Sequence, residues 1–215
     1  MCDKKRTRAE AFAADVLHGE RERREASKAI CRAILSRIDP AGTILCFMPL
    51  RDEVDILPVF DAVFENGGRV VLPYCIDRER MTLRLYQKDG ELVRDAMKIL
   101  SPKQDDPIDP AEIDAALIPA VALSADGRRL GRGCGFYDRF LPKLRADALL
   151  IGVCFPWRIR EDLPTLAHDF SLQFVAAAGD LREKNGEQAR VGLSNILYSE
   201  SGGRKPTQRS HGNVV

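Results

Sequence analysis

The chain has 215 residues, 45% of them hydrophobic, and is long enough to bury the core of one α/β domain. Lysine and arginine total 33 against 32 for aspartate and glutamate, and the net charge of +1 excludes a general attraction to nucleic acid or membranes. The sequence shows neither an apolar run of the roughly 18–20 residues that span a membrane nor a secretory signal. We therefore expect a cytoplasmic protein without nucleic-acid or membrane partners, and we expect it to be a monomer.

The first two predicted elements are helices. Asp3 is a suitable N-cap for the first helix, and Gly19 can end it. The second helix, over about 20–37, has a strongly charged outer face. Apolar residues at helical spacing predict the inward faces. These residues are Ala9, Phe12, Ala13, Val16 and Leu17 in the first helix, and Ala26, Ile30, Ala33 and Ile34 in the second.

A strand–helix–strand unit follows. The apolar runs 44–48 and 70–73 are typical of strands that are buried on both faces. Asp55 can cap the helix between them. The predicted inward residues of that helix are Leu57, Phe60, Val63 and Phe64. Two such strands joined by a helix predict a parallel sheet.

The rest of the sequence extends this sheet. Residues 81–86 alternate between apolar and polar side chains, which predicts a half-exposed antiparallel edge strand. The proline- and aspartate-rich segment 101–114 predicts a loop. Further buried strands are predicted at 115–118, 149–153 and 173–177, and a helix at about 137–144.

These elements predict the α/β class, with a single three-layer α/β/α domain built on a mostly parallel sheet. We assign residues 1–182 to this domain. Residues 183–215 are polar and irregular, and we predict a disordered tail there.

The six cysteines are interpreted as small buried hydrophobic residues of a protein in a reducing compartment. No two of them form a CxxC pair, and most fall within apolar strand or helix patterns. A zinc site or a disulfide scaffold is the alternative. Their positions are 2, 31, 46, 75, 134 and 154.

The most informative segment is the loop 127–139, which contains four glycines and four arginines between a buried strand and a helix. Glycines let backbone N–H groups approach an anion closely, and the helix N-terminus adds free donors and partial positive charge. Arginine donates paired hydrogen bonds to phosphate oxygens. The segment fits neither a Walker A motif nor a dinucleotide fingerprint. It predicts a site for a polyphosphate or another dense anion, and an irregular solvated turn is the alternative.

Residues 118–141, IPAVALSADGRRLGRGCGFYDRFL, resemble the signature segment of the 5-formyltetrahydrofolate cyclo-ligases, also called methenyltetrahydrofolate synthetases. Two more segments are similar and follow in the right order: CFMPLRDEVD at 46–55, and the HD pair at 168–169. The resemblance covers about residues 4–178. It implies a fold similar to the sugar-phosphate isomerase and coenzyme A transferase type.

The resemblance implies a ligase that cyclises 5-formyltetrahydrofolate to 5,10-methenyltetrahydrofolate and releases ADP and phosphate. ATP phosphorylates the formyl oxygen, N10 of the folate attacks the activated carbon, and phosphate leaves. Such phosphoryl transfer needs mainly positioning and neutralisation of charge. The implied cofactors are ATP and Mg²⁺, and the implied partner is a reduced folate.

The resemblance also implies ligands for individual residues. Arg132 and Tyr137 are implied to be catalytic, and Asp138 and Asp169 to hold Mg²⁺, which prefers carboxylate oxygens. The implied ATP-binding residues are Lys4, Arg8, Arg129, Leu130, Gly131, Arg132, Gly133, Cys134, Gly135, Phe136 and Tyr137. The implied substrate-binding residues are Met48, Glu53, Arg132, Gly133, Cys134, Gly135 and Phe136.

Several of these residues also have a purely structural interpretation. Asp138 can cap its helix, and Asp169 can lie in a surface turn. Lys4 and Arg8 lie one helical turn apart and can be solvated charges on an amphipathic helix. Glu53 can be an exposed loop carboxylate, although it follows a strand at the end where open α/β sheets bind ligands.

Three positions differ from the family pattern. Leu123-Ser124 stands where Phe-Asp is usual, Cys134 where lysine or glycine is common, and Arg158 where glutamine is usual. The additional arginine predicts a more anionic folate, such as a polyglutamate.

Two other functions stay open. A phosphosugar isomerase would use the arginines for one phosphate, would not need ATP and would require a general base. A non-catalytic paralogue would bind folate or nucleotide without turnover.

Overall fold

The computed structural model describes residues 4–164, 170–177 and 180–183. Its helices are α1 (Lys4–Ala14), α2 (Glu20–Leu35), α3 (Leu57–Glu65) and α4 (Phe136–Phe140). Its strands are β1 (Thr43–Leu45), β2 (Arg69–Cys75), β3 (Met81–Tyr86), β4 (Leu92–Arg94), β5 (Leu100–Pro102), β6 (Ala115–Pro119), β7 (Ala122–Leu123), β8 (Arg129–Leu130), β9 (Leu149–Val153), β10 (Phe174–Ala177) and β11 (Asp180–Glu183). Short 3₁₀ turns cover Asp15–Leu17, Pro110–Glu112, Leu141–Lys143 and Pro156–Arg158.

A seven-stranded sheet with the order β11-β10-β9-β6-β1-β2-β3 forms the centre. The five inner strands are parallel, and the two edge strands β3 and β11 are antiparallel to their neighbours. The chain runs from β1 to β2 on one side and later places β6 on the other side of β1. Such a reversal opens a crevice at the carboxyl ends of the strands. The predicted α/β class with a mostly parallel sheet is confirmed.

Both faces of the sheet are covered, which explains the continuous apolar runs of its inner strands. On one face, Ile30 and Ile34 of α2 pack with Phe60 of α3 against strand residues such as Ile44. The next residue of β1, Leu45, points to the opposite face. There the strands meet residues of α4 and of the turn that follows it, among them Phe140, Leu141 and Leu144.

The prediction of which residues of the first helix face the protein interior is wrong. Val16 and Leu17 are 84% and 82% exposed. Ala9 and Ala13, which belong to the predicted stripe inside the α-helix, are exposed as well. The α-helix ends at Ala14, and Val16 and Leu17 lie in the 3₁₀ turn that follows. The helix packs on the β7–β8 hairpin rather than on the sheet, so its buried side is partly polar. The residues on the side of the helix that faces the protein are buried or half-buried; they include Lys4, Thr7, Arg8, Ala11, Phe12 and Asp15.

Other predicted elements differ in detail. The structure confirms the predicted inward face of α2 and the predicted strand at 81–86. In α3, the predicted burial of Phe60 and Val63 is confirmed, whereas that of Leu57 is wrong, because Leu57 is 43% exposed at the start of the helix. The predicted loop 101–114 contains the end of β5 and a 3₁₀ turn. Strands β4, β5, β7, β8 and β11 were not predicted, because they are short and lack the continuous apolar run that identified the equally short β1 and β10.

Several predictions lie outside the described residues. They concern the N-cap Asp3, Cys2, the metal ligand Asp169 and residues 184–215. The division into a domain over 1–182 and a tail therefore stays a prediction. Within the described part of the chain the cysteines are free thiols, buried at all positions except the half-buried Cys134. None of the helices described is long and apolar enough to cross a membrane.

Candidate active site

A cavity of about 380 Å³ lies at the carboxyl ends of β1, β2 and β6, in the crevice where the strand order reverses. Every described residue that the sequence assigned to a ligand lines it; Asp169 lies outside the described residues. The lining residues that were predicted are Lys4, Arg8, Met48, Glu53, Arg129, Leu130, Gly131, Arg132, Gly133, Cys134, Gly135, Phe136, Tyr137 and Asp138.

The arginine-rich loop begins as a hairpin rather than as an irregular turn. Strands β7 and β8 pair antiparallel, and Ser124 closes the turn between them by accepting a hydrogen bond from the Arg128 backbone N–H at 3.1 Å. Gly127 has φ +85° in this turn, and a Cβ there would lie 2.1 Å from the Leu172 carbonyl oxygen. Glycine is therefore required for this close approach.

After β8 the chain crosses the cavity and enters α4. Gly133 and Gly135 have φ of +110° and +65°, a region that other residues rarely adopt. A Cβ on Gly131 would lie 2.5 Å from Arg129 Nη1, so the bare backbone leaves room for that guanidinium. The glycines thus shape the loop around the arginines, whereas the predicted approach of backbone N–H groups to an anion stays a prediction.

Arg129 lies almost completely inside this loop. Its side chain is 4% exposed, and Nη2 donates to Asp138 Oδ1 at 2.8 Å. Its guanidinium carbon lies 5.5 Å from the centroid of the Tyr137 ring. Within the described residues, Arg129 Nε is buried without a hydrogen-bond acceptor. A buried donor without a partner is costly, so an anionic ligand that accepts from Nε fits this position.

Arg132 is held by two carboxylates on the loop after β1. Its Nε donates to Glu53 Oε1 at 3.0 Å, and its Nη2 donates to Asp52 Oδ1 at 2.7 Å. The second oxygen of Glu53 accepts from the Leu50 backbone N–H at 3.1 Å. Asp52 was missed by the sequence interpretation, although it stands directly before Glu53 in a segment that carried the resemblance.

Helix α1 brings its cations to the same cavity. Arg8 Nε donates to the Gly131 carbonyl oxygen at 2.8 Å, across 123 residues of sequence. Lys4 lies one turn earlier on the same helix and also lines the cavity. The helical spacing of these two residues therefore reflects a shared position at the site rather than a fully solvated face.

Part of the cavity lining, here called the apolar wall, consists of hydrophobic side chains and includes Met48, Met81, Met97 and Ile99. Asp95 fixes the turn that presents the last two, since its Oδ1 accepts from the backbone N–H groups of Met97 and Ile99 at 2.9 and 3.0 Å. The turn belongs to the β4–β5 hairpin, which had no recognisable sequence signal. These wall residues were therefore missed, except for Met48.

Burial changes the acidity of two groups that line the cavity. Burial and the negative charge of Glu53 raise the pKa of Tyr137 above its ordinary value. The raised pKa keeps the Tyr137 phenol protonated well beyond neutral pH, so it is available as a hydrogen-bond donor and not as a base. Burial also raises the pKa of Cys75 to about 12, so this thiol is a poor nucleophile.

The prediction that Arg158 suits a more anionic folate is wrong. Its side chain is 1% exposed, and its Nε donates to Asp15 Oδ1 at 2.9 Å. A guanidinium enclosed by protein and paired with a carboxylate cannot bind the tail of a ligand. It is a structural ion pair next to the site.

Asp138 is the carboxylate of the described site that fits a divalent cation. Mg²⁺ is commonly bound through one or two carboxylates together with substrate phosphates. The described residues contain no cluster of three or more potential metal ligands. An all-protein cage is therefore not formed there, whereas a cation shared between Asp138 and a bound polyphosphate is compatible with the donor set.

Comparison with known proteins gives a consistent result. The sequence profile of the 5-formyltetrahydrofolate cyclo-ligase family matches residues 3–178. The 5-formyltetrahydrofolate cyclo-ligase of Mycolicibacterium smegmatis is 32% identical over 161 residues, which cover 71% of this chain and 82% of that protein. The enzyme of the same name from Escherichia coli K12 is 30% identical over 148 residues, covering 66% of this chain and 81% of the relative.

A solved structure shares the fold. The NMR structure of the Aquifex aeolicus 5,10-methenyltetrahydrofolate synthetase superposes with a TM-score of 0.73 at 24% identity, covering 90% of this chain and 98% of that protein. The profile match spans most of the chain and includes every described residue that lines the cavity. The chain therefore belongs to the 5-formyltetrahydrofolate cyclo-ligase family.

Proposed function

We propose that this chain catalyses the cyclisation of 5-formyltetrahydrofolate to 5,10-methenyltetrahydrofolate, driven by ATP and Mg²⁺, with release of ADP and phosphate. One observation carries the proposal: a single cavity is lined both by an arginine- and glycine-rich loop and by an apolar wall, in a chain of this family. The loop suits phosphates, and the wall suits a flat heterocycle. Both substrates of a ligase thus find complementary surfaces in one cavity.

The nucleotide is assigned to the loop side. Arg129 has a buried donor that lacks an acceptor among the described residues, and Arg8 and Lys4 add positive charge from α1. The backbone from Gly131 to Tyr137 lines the same side. Charged donors in a partly dry site bind phosphate more strongly than they do in water.

The metal is assigned to Asp138, with Asp169 as its proposed partner. Asp138 Oδ1 already accepts from Arg129, so the second oxygen of this carboxylate is the one offered to the cation. Bound Mg²⁺ would neutralise charge on the nucleotide phosphates.

The folate is assigned to the apolar wall and to Glu53. Glu53 is 10% exposed and is oriented by Arg132 and by the Leu50 backbone N–H. A fixed carboxylate is a suitable partner for the N–H donors on the edge of a pterin, while Met48 and Met97 contact its faces. Thioether side chains adapt well to flat aromatic surfaces.

In the proposed reaction the formyl oxygen attacks the γ-phosphorus of ATP, and the bond between that phosphorus and the ADP oxygen breaks. N10 then attacks the formyl carbon, loses its proton to water, and the carbon–oxygen bond breaks to release phosphate. Arg132 is the loop residue that bonds to Glu53, so its guanidinium can stabilise negative charge on the transferred phosphoryl group. Tyr137, half-buried on the same loop, can donate a hydrogen bond to an oxygen of that group.

The two alternatives make different demands on the cavity. A phosphosugar isomerase needs a general base beside a polar sugar, but the Glu53 carboxylate is engaged by Arg132 and by the Leu50 backbone N–H, and the apolar wall offers methionines and isoleucine. A binding-only paralogue would keep the ligands and lack turnover. Family membership and the apolar wall together favour the ligase.

The test is the near-ultraviolet absorbance of the methenyl product. Purified protein is mixed with 5-formyltetrahydrofolate, with Mg·ATP present or with either component left out. Product that forms only in the complete mixture supports the proposal. Binding of both ligands without product supports the paralogue, and failure to bind folate rejects the assignment.

A further inference from the structure

A buried ion pair joins the end of α1 to the rest of the protein. The Arg158 guanidinium donates from Nε to Asp15 Oδ1 at 2.9 Å and from Nη2 to Asp15 Oδ2, and the Asp15 side chain is only 8% exposed. Trp157 Nε1 donates to the same carboxylate at 2.8 Å. The same Nη2 also donates to Asp52 Oδ2 at 3.4 Å. Nothing in the proposed chemistry uses Asp15 or Arg158.

Helix α1 has few apolar contacts with which to dock. Ala11 is its one buried residue among those described, and it packs with Phe12 against the β7–β8 hairpin. The Phe12 ring lies under two guanidinium groups, 5.3 Å from that of Arg158 and 5.7 Å from that of Arg132. Burial of so little apolar surface contributes only modestly to docking. The charged contacts at the end of the helix therefore decide whether it stays in place.

A buried arginine is stable only when it is paired. The free-energy cost of removing a guanidinium from water is larger than the stabilisation from a surface ion pair. It is offset only when the guanidinium pairs with a carboxylate in good geometry and makes further hydrogen bonds. Asp15 provides this environment only in the docked position of α1. The docked helix in turn places Lys4 and Arg8 at the cavity, where Arg8 bonds to the Gly131 carbonyl oxygen.

We propose that Asp15 and Arg158 are positioning residues, which clamp α1 to the domain and thereby hold Lys4 and Arg8 at the phosphate side of the cavity. This inference rests on the proposed function, because it assumes that the cations of α1 bind the nucleotide. Neither residue touches substrate. The clamp acts mainly on nucleotide binding, because α1 contributes no residue to the apolar wall. Glu53 is linked to the clamp only indirectly, through Asp52 and Arg132.

The main variant is Asp15→Asn in the full-length protein. It keeps the shape and the acceptor oxygen of the side chain and removes the charge. Trp157→Phe is the milder variant, since it removes one hydrogen bond to Asp15 without leaving a buried charge unpaired. Asp61→Asn is the matched control, because Asp61 forms an exposed ion pair with Lys88 at 2.9 Å, away from α1.

Three quantities are measured: the Kd of Mg·ATP and the Kd of 5-formyltetrahydrofolate, both by calorimetry, and the rate of hydrogen exchange of the amides of residues 4–14. We expect Asp15→Asn to weaken nucleotide binding by about tenfold or more, the effect of losing one charged contact. Folate binding stays nearly unchanged, and exchange in residues 4–14 accelerates. Trp157→Phe changes the nucleotide affinity and the exchange rate in the same direction but by less, and Asp61→Asn changes neither of them.

Unchanged exchange and unchanged nucleotide affinity in Asp15→Asn overturn the inference. So does an equal loss of affinity for both ligands, which indicates general destabilisation. If Asp15→Asn does not fold, Trp157→Phe decides by the same readouts. A wild-type protein that does not bind Mg·ATP contradicts the proposed function instead, while the exchange measurement still tests the clamp.

Discussion

Glu53 and Arg132 are bonded to each other in the cavity, and the proposed function assigns the folate to Glu53 and the phosphates to the loop that carries Arg132. Arg132 bonds to both Asp52 and Glu53, so a single carboxylate substitution leaves it with one partner. Glu53 is also fixed by the Leu50 backbone N–H. This arrangement lets the folate contribution of Glu53 be tested without releasing Arg132 completely.

The first prediction concerns Glu53→Gln. The amide keeps the size of the side chain but replaces one charged acceptor by a donor. We expect the KM for 5-formyltetrahydrofolate to rise about 10- to 1,000-fold, since a desolvated charged hydrogen bond is lost. The KM for ATP stays nearly constant because Asp52 still holds Arg132. Steady-state kinetics with each substrate varied in turn measure both values, and an equal rise in both contradicts the assignment.

The second prediction concerns Asp138→Asn. If Asp138 binds the cation, the variant needs a higher Mg²⁺ concentration for half-maximal activity and has a lower kcat. A Mg²⁺ titration of the activity measures the shift, with Asp147→Asn as the control, an exposed carboxylate paired with Arg145. An unchanged Mg²⁺ requirement removes Asp138 from the metal site.

At the scale of elements, α1 is the part of the chain that differs most from its sequence pattern. Its apolar spacing predicted a buried stripe through Val16 and Leu17, yet the side facing the protein carries Lys4, Arg8 and Asp15. The inner side of the helix borders a cavity lined by charged residues rather than the apolar core, so polar side chains can be half-buried there.

The third prediction separates the two sides of α1. Arg8→Ala removes a guanidinium at the cavity, whereas Arg6→Ala removes one that is 77% exposed and paired with Glu10. We expect Arg8→Ala to weaken Mg·ATP binding by about 1.5–3 kcal/mol, roughly 10- to 150-fold. Arg6→Ala has little effect. Equal effects of the two variants, measured by calorimetry, restore the interpretation of Arg8 as a solvated surface charge.

The elements that position the site were only partly predictable. The long inner strands and α2 carry clear apolar patterns, and the arginine loop was identified from its glycines. The apolar wall depends on the β4–β5 hairpin, whose strands have three residues each. Local periodicity cannot identify such short strands. The Asp15–Arg158 pair spans 143 positions in the sequence, and local patterns do not encode contacts at that separation.

At the scale of the whole molecule, the Asp15–Arg158 pair also links stability to pH. Burial raises the pKa of Asp15, but hydrogen bonds from Arg158 and Trp157 and the charge of Arg158 outweigh this effect, so the pKa lies below its ordinary value. A carboxyl group with a lowered pKa in the folded state stabilises the protein above the unfolded-state pKa of about 3.9. That contribution is lost as the pH falls through the lower, folded-state pKa.

The fourth prediction follows from the lowered pKa of Asp15 in the folded state. The difference in the free energy of unfolding between the wild type and Asp15→Asn is largest above about pH 5 and shrinks as the pH falls below about 4. Urea unfolding at several pH values between 7 and 3 measures this difference. A difference that is constant over the whole range contradicts a charged Asp15 in the folded protein.

The central claim is that the formyl oxygen of the folate accepts the γ-phosphoryl group of ATP inside this cavity. The most direct test uses 5-formyltetrahydrofolate labelled with ¹⁸O at the formyl oxygen, wild-type protein and Mg·ATP, with mass analysis of the phosphate released. We predict that each methenyl product is accompanied by one phosphate that carries the label, because the carbon–oxygen bond breaks after phosphorylation. Unlabelled phosphate, with the label recovered in water, would contradict the account.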